Sequence, residues 1–202
     1  GICLIRLKGI RPSILPFPWG LSSENAAHRI AVEWRENGED RTGVYIPRRD
    51  TDSRLNSLLG GRVFPGVHHR ASFSVSESNG RYSVAMASDD AKTSVLVEGH
   101  ATSSFPPGSV FGSLEAASEF FSLGSVGYSD SHATGRFDGL ELHCSTWNVE
   151  PLEVEAVRSS YFEDLQSFPV GSAEFDCALL MRDIDHEWHG LPDVCQGPKG
   201  EC

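Results

Sequence analysis

The chain has 202 residues and a mass of 22.0 kDa, the size of one compact domain. Hydrophobic residues make up 39% and charged residues 22%, with a mean hydropathy of -0.25, which excludes both a disordered chain and a membrane-embedded one. A formal charge of -11 has the wrong sign for a phosphate backbone or an anionic bilayer, so neither nucleic acid nor membrane is an expected partner.

Residues 2 to 8 read as a first strand, followed by strands near 28 to 35 and 42 to 47, where apolar and polar residues alternate. Thr51 to Leu59 places Leu55, Leu58 and Leu59 at helical spacing, with cap-type residues Asp50 to Ser53 ahead and Gly60-Gly61 behind. Over 69 to 88, Phe73 and Val75 alternate with serines and Tyr82, Val84 and Met86 with small or polar residues. Asn79-Gly80 between these runs predicts a hairpin with a type I′ turn.

A strand over 93 to 101 leads into a loop at 102 to 112. Ser113 then reads as the N-cap of a helix to Ser122, with Gly124 as the stop. Residues 124 to 138 read as a second long loop of the kind that borders a site, and strands follow near 139 to 147, 152 to 160 and 173 to 182. Asp185-His186-Glu187-Trp188-His189 reads as a charged strand end on irregular backbone. It lacks the HExxH order, and no metal or other cofactor is expected. About ten strands, mostly antiparallel, must curl into a barrel or sandwich to hide their edges. A single domain over 1 to 195 and a polar tail over 196 to 202 are expected, and a homo-oligomer is left open.

Five cysteines without CxxC spacing suggest neither a disulfide framework nor a zinc site, and a cytoplasmic setting is the simplest reading. Cys3 and Cys177 lie in apolar runs as inert small hydrophobes, whereas Cys195 and Cys202 are expected to be exposed in the tail. Only three of the basic residues are lysines: Lys8, Lys92 and Lys199. Imine chemistry needs an amine kept neutral by its surroundings. Lys8, at the end of an apolar strand, is the one candidate, and a solvent-facing charge is its expected role.

Leu21 to Phe73 resembles the acetoacetate decarboxylase superfamily, and within it the YqjF-like (DUF2071) branch. The resemblance rests on Ser22-Ser23-Glu24-Asn25, two strands, a helix, Gly61-Arg62 and Val67-His68-His69 in that order, and on Val44 to Asn56 (VYIPRRDTDSRLN) and Glu174 to Gly190. It implies a mainly β fold, a closed cone-shaped antiparallel β-barrel with helices outside and a small-molecule pocket inside. It places the family's acidic active-site residue on Glu24 and its lysine pair on His68 and His69. Imidazole cannot form the parent enzymes' imine, so decarboxylation through a Schiff base is not expected.

Glu24, His68 and His69 are thus the candidate catalytic residues, with His68 and Glu24 as the acid/base pair and only one of the two histidines facing a pocket. Arg48, Arg49 and Arg62 are candidates for holding a carboxylate-bearing ligand, with internal ion pairs to Asp50, Asp52 or Glu24 as the competing role. Tyr128, on the second loop, is a candidate phenolic donor or an aromatic plug. Two function classes remain: acid/base chemistry on a small oxo or hydroxy acid, or non-catalytic binding or sensing of a small molecule. The second predicts a pocket of mainly apolar walls with at most one converging charge.

Overall fold

The structure is a computed structural model that describes residues 1–10, 20–36, 38–59 and 65–195. It is mainly β. The strands, in chain order, are β1 (Ile2–Ile10), β2 (Leu21–Glu36), β3 (Glu39–Thr51), β4 (His69–Ser78), β5 (Arg81–Ser88), β6 (Ser94–Ala101), β7 (Val126–Asp130), β8 (Arg136–Cys144), β9 (Glu150–Ser159), β10 (Ala178–Leu180) and β11 (His186–Cys195). Two α-helices interrupt them, α1 (Arg54–Leu59) and α2 (Leu114–Ser122), the second followed by a 3-10 turn at Leu123–Ser125. Ser113 caps α2 through its side chain, which accepts from the Ala116 N–H, as its position predicts. The β4–β5 turn places Asn79 at φ 51° and Gly80 at φ 75°, the positive values that an Asn-Gly hairpin requires.

β3 organises the sheet. One edge pairs with β2, antiparallel; the other is divided, its middle (Val44 to Ile46) running parallel to β7 and its end (Asp50, Thr51) parallel to β4. Between these stretches lies Pro47, which has no N–H to give a neighbour. Ile46 and Pro47 together oppose the single residue Arg29 of β2, the two-against-one count of a β-bulge. The sheet therefore forks at Pro47, with β7, β8 and β11 on one branch and β4, β5, β6, β9 and β10 on the other.

Several expectations change here. The sheet is not closed, so the expected ring of strands is not seen among the described residues, and two of its junctions are parallel. The loop expected at 124 to 138 contains β7, whose Gly and Ser content reads as a loop in sequence. Gly127 is instead a packing residue: a Cβ there would sit 2.9 Å from Ile46 Cδ1. The strand expected at 173 to 182 shrinks to β10. The charged run at 185 to 189 begins β11, which pairs with β8 at the end of its branch, where charges suit an edge strand. Cys195 ends β11, half-buried and disulfide-bonded, not an exposed free thiol; its partner and the expected tail lie outside the described residues. Cys3, Cys144 and Cys177 are free.

Ala26 and Ala27, adjacent on β2, belong to two cores. Ala26 packs with Ala71, Met86 and Val95, and Ala27 with Val44, Ile46 and the flanking Cys3. Strand alternation thus buries β2 and β3 on both faces. Among the described residues no helix is long and apolar enough to cross a membrane.

Candidate functional site

The fork in β3 brings most of the predicted site residues together, and alternation divides them into two polar clusters. Arg48 is 7% exposed and sits opposite His28 of β2. Its Nε and Nη2 donate to Asp50 at 2.7 to 3.0 Å, and Nη1 and Nη2 donate to the two oxygens of Asp90 at 2.9 and 3.0 Å. Asp90 also accepts from the Ser88 hydroxyl at 2.6 Å, and His69 Nδ1 lies 3.6 Å from it. Hydrogen bonds from Arg48 and Ser88 hold the Asp90 carboxyl well below its usual range, whereas burial raises that of Asp50 against the pull of Arg48. Burial, and then the charge of Arg48, lowers His69 below its usual value. Every guanidinium nitrogen of Arg48 is committed within the protein, so this arginine has the internal role, not the ligand-holding one.

Arg49 is different. Its Nε donates to the Ser129 hydroxyl at 2.8 Å. Among the described residues its two terminal nitrogens have no hydrogen-bond or ion-pair partner. Burial, with Arg29 next, lowers its pKa to about 10, while Cys3 and Asp138 temper the effect from beyond ion-pair distance. Gly66 packs between: a Cβ there would lie 3.2 Å from Arg49 Nε and 2.6 Å from Ser129 Cβ, and its φ of 83° favours glycine. The Gly66 N–H donates to Asp138 at 3.0 Å, which uses that carboxylate away from Arg49.

His68 joins this second cluster. Its Nδ1 lies 3.0 Å from the Gly66 carbonyl, and a carbonyl only accepts, so Nδ1 carries the proton and Nε2 presents a lone pair. Burial, then the positive charge of Arg49, lowers His68 to about 4, so at neutral pH it is an uncharged acceptor.

Glu24 stands apart. Arg6 on the paired strand β1 holds its carboxylate in an ion pair, its backbone N–H donates to Asp52, and no described contact joins it to His68. Arg62 lies outside the described residues. Lys8 and Lys92 are exposed, and Lys199 lies outside the described residues.

Two cavities open beside the fork. The smaller, about 180 Å³, fills the gap between β4 and β7 and is lined by Ile46, Pro47, Val67, His69, Ser129 and Asp130. The larger, about 730 Å³, lies over β2, β3, β7 and β8, with Trp34, Tyr45, Tyr128 and Phe137 in its walls. Asp130 lines both. His69 thus faces a cavity and His68 lines neither, the reverse of the expected order; Tyr128 sits on a strand in the larger one.

Sequence reasoning missed Ser129, Gly66 and Asp138 because nothing local marks a serine, glycine or aspartate as the neighbour of a residue 17 to 89 positions away. Tyr45 and Trp34 carried a signal, since both are large aromatics within alternating strand-type runs.

Comparison with known protein families, curated proteins and solved structures finds no match to this chain.

Proposed function

We propose that this chain is an acetoacetate decarboxylase-like protein that binds a small oxo or hydroxy acid without forming a covalent bond to it. The observation that carries the reading is Arg49. A half-buried guanidinium with no carboxylate partner among the described residues leaves its charge available to an anionic ligand. Its Nε is fixed by Ser129, which leaves the two terminal nitrogens, unpartnered among the described residues, as a fork for the two oxygens of a carboxylate. His68, neutral and with Nδ1 committed to the Gly66 carbonyl, would offer Nε2 as an acceptor to a hydroxyl on the same ligand.

Binding is favoured over acid/base catalysis. A general base works best with a pKa near the working pH, and an imidazole at about 4 is a weak one. Glu24, the intended partner, is engaged by Arg6. The exposed Lys8 and Lys92 lack the apolar surroundings that keep an amine neutral and nucleophilic. The family's closed cone-shaped barrel is part of the same proposal, supported by the strand number and by the core that β1, β2, β4, β5 and β6 share.

Calorimetric titration with lactate and pyruvate tests the reading. The wild-type chain should bind them and lose about tenfold or more in affinity as Arg49→Met, while the corresponding amides should bind both chains more weakly than the acids bind the wild type. Equal affinity for acid and amide contradicts it.

A further inference from the structure

The larger cavity is built separately from the Arg49 cluster. On β7, Tyr128 and Asp130 line the cavity while Ser129 between them is buried against Arg49, so alternation sends the two sites to opposite sides of one strand. Its walls are shaped by glycines on neighbouring strands. A Cβ on Gly43 would come within 3.3 Å of the Trp34 ring, and one on Gly139 within 2.8 Å of Tyr128 Cε1, so both rings lie down into space that a larger residue would fill. The rings brace each other edge to face, Trp34 on Tyr128 at 5.4 Å and Tyr45 on Phe137 at 5.9 Å between centroids.

The charges in this cleft are uneven. Arg136 is tied to Asp193 through Nε and Nη2, which neutralises it. Asp130 has no cationic partner among the described residues; the Tyr45 hydroxyl lies 3.0 Å from each of its oxygens and holds the carboxylate in place. Burial, then the hydrogen bond to Asp130, pushes the Tyr45 hydroxyl up to about 12, so it stays a donor across the physiological range. Four aromatic rings and one exposed, oriented carboxylate form an environment that attracts a positive charge carried on an apolar body. Ring quadrupoles and the carboxylate act in the same direction, and the net charge of -11 favours approach of a cation.

We infer that the cleft walled by Trp34, Tyr45, Tyr128 and Phe137, with Asp130 in its lining, binds an organic ammonium ion of aromatic or alkyl body. The ligand places its cationic head against Asp130 and the aromatic faces, and its body along the apolar walls. This site has the opposite charge preference to Arg49, so one chain would hold an organic acid and an organic cation on two sides of β7.

The test is a titration with benzyltrimethylammonium chloride, followed by NMR and calorimetry, against benzyl alcohol and benzoate. The ammonium should bind about tenfold tighter than the alcohol, and benzoate should not bind the cleft. Asp130→Asn should remove most of that preference while leaving binding of lactate at Arg49 unchanged, and Trp34→Leu should weaken the ammonium with the fold intact by circular dichroism. Equal binding of alcohol and ammonium, an Asp130→Asn chain that keeps the full preference, or preferential binding of an uncharged sugar in the same cleft overturns the inference.

Discussion

Arg48 and Asp50, two residues apart on one face of β3, share three hydrogen bonds of 2.7 to 3.0 Å in surroundings nearly closed to solvent. Removing one partner of such a pair leaves the other charge buried and alone, at a cost of about 3 kcal/mol. Arg48→Met should lower the unfolding free energy by that much, read as a lower urea midpoint at an unchanged slope. Arg49→Met removes a cation that has no ion-pair partner among the described residues, so its midpoint should stay level or rise. A chain in which Arg49→Met is the more destabilised of the two would show that Arg49 is structural.

Burial also fixes a pH dependence. His28 is fully enclosed, with Nε2 3.0 Å from the Ser159 hydroxyl and its ring 4.7 Å from that of Tyr161, and burial, with the N-terminal charge next, lowers its pKa to about 4. The unfolded chain takes up the proton near 6.5 and the folded one only near 4, so its stability is complete above pH 6.5 and falls as pH drops towards 4. The loss from His28 alone is about 3 kcal/mol. Urea unfolding at a series of pH values should show this fall, made shallower by His28→Asn. A flat profile between pH 7 and 4 would mean that the imidazole protonates freely in the fold.

Gly139 is paired with Tyr128 and lies against Leu191, and a Cβ there would meet Tyr128 Cε1 at 2.8 Å and Leu191 Cβ at 2.9 Å. Gly139→Ala should destabilise the β7–β8–β11 branch by about 2 kcal/mol, the usual scale of overpacking. It should also weaken ammonium binding through displacement of the Tyr128 ring. Melting temperature and the benzyltrimethylammonium titration read the two effects separately; no change in either would mean that the ring has room to move.

Incubation with acetoacetate and borohydride should leave every lysine unlabelled by mass spectrometry, since Lys8 and Lys92 are exposed and imidazole forms no imine. A labelled lysine would restore the covalent chemistry that the His68-His69 pair argues against.

The hairpin at Asn79-Gly80 and the cap at Ser113 were legible in the sequence because each depends on two to four adjacent residues. The division of Arg48 from Arg49 and of His68 from His69 was legible too, since alternation along extended backbone requires it. The fork at Pro47 was not, because a proline inside an alternating run marks a missing donor without saying which two strands share the edge. Nor was β7, whose glycine and serines resemble a loop until Ile46 is seen packed against Gly127. Glu24 read as an acid for His68 because the pairing of β1 with β2, which brings Arg6 to it, is a long-range register that no local pattern reports.

The proposed function requires that burial, together with the charge of Arg49, keeps His68 uncharged and that Arg49 anchors an organic acid. Nitrogen-15 NMR of the His68 ring, followed through a pH titration with and without lactate, tests both halves. The account predicts a Nδ1–H tautomer with a pKa near 4 in the free chain, a rise when lactate neutralises Arg49, and a similar rise without ligand in Arg49→Met. A His68 that titrates near its ordinary value in the free chain, or one that responds to neither lactate nor the substitution, contradicts it.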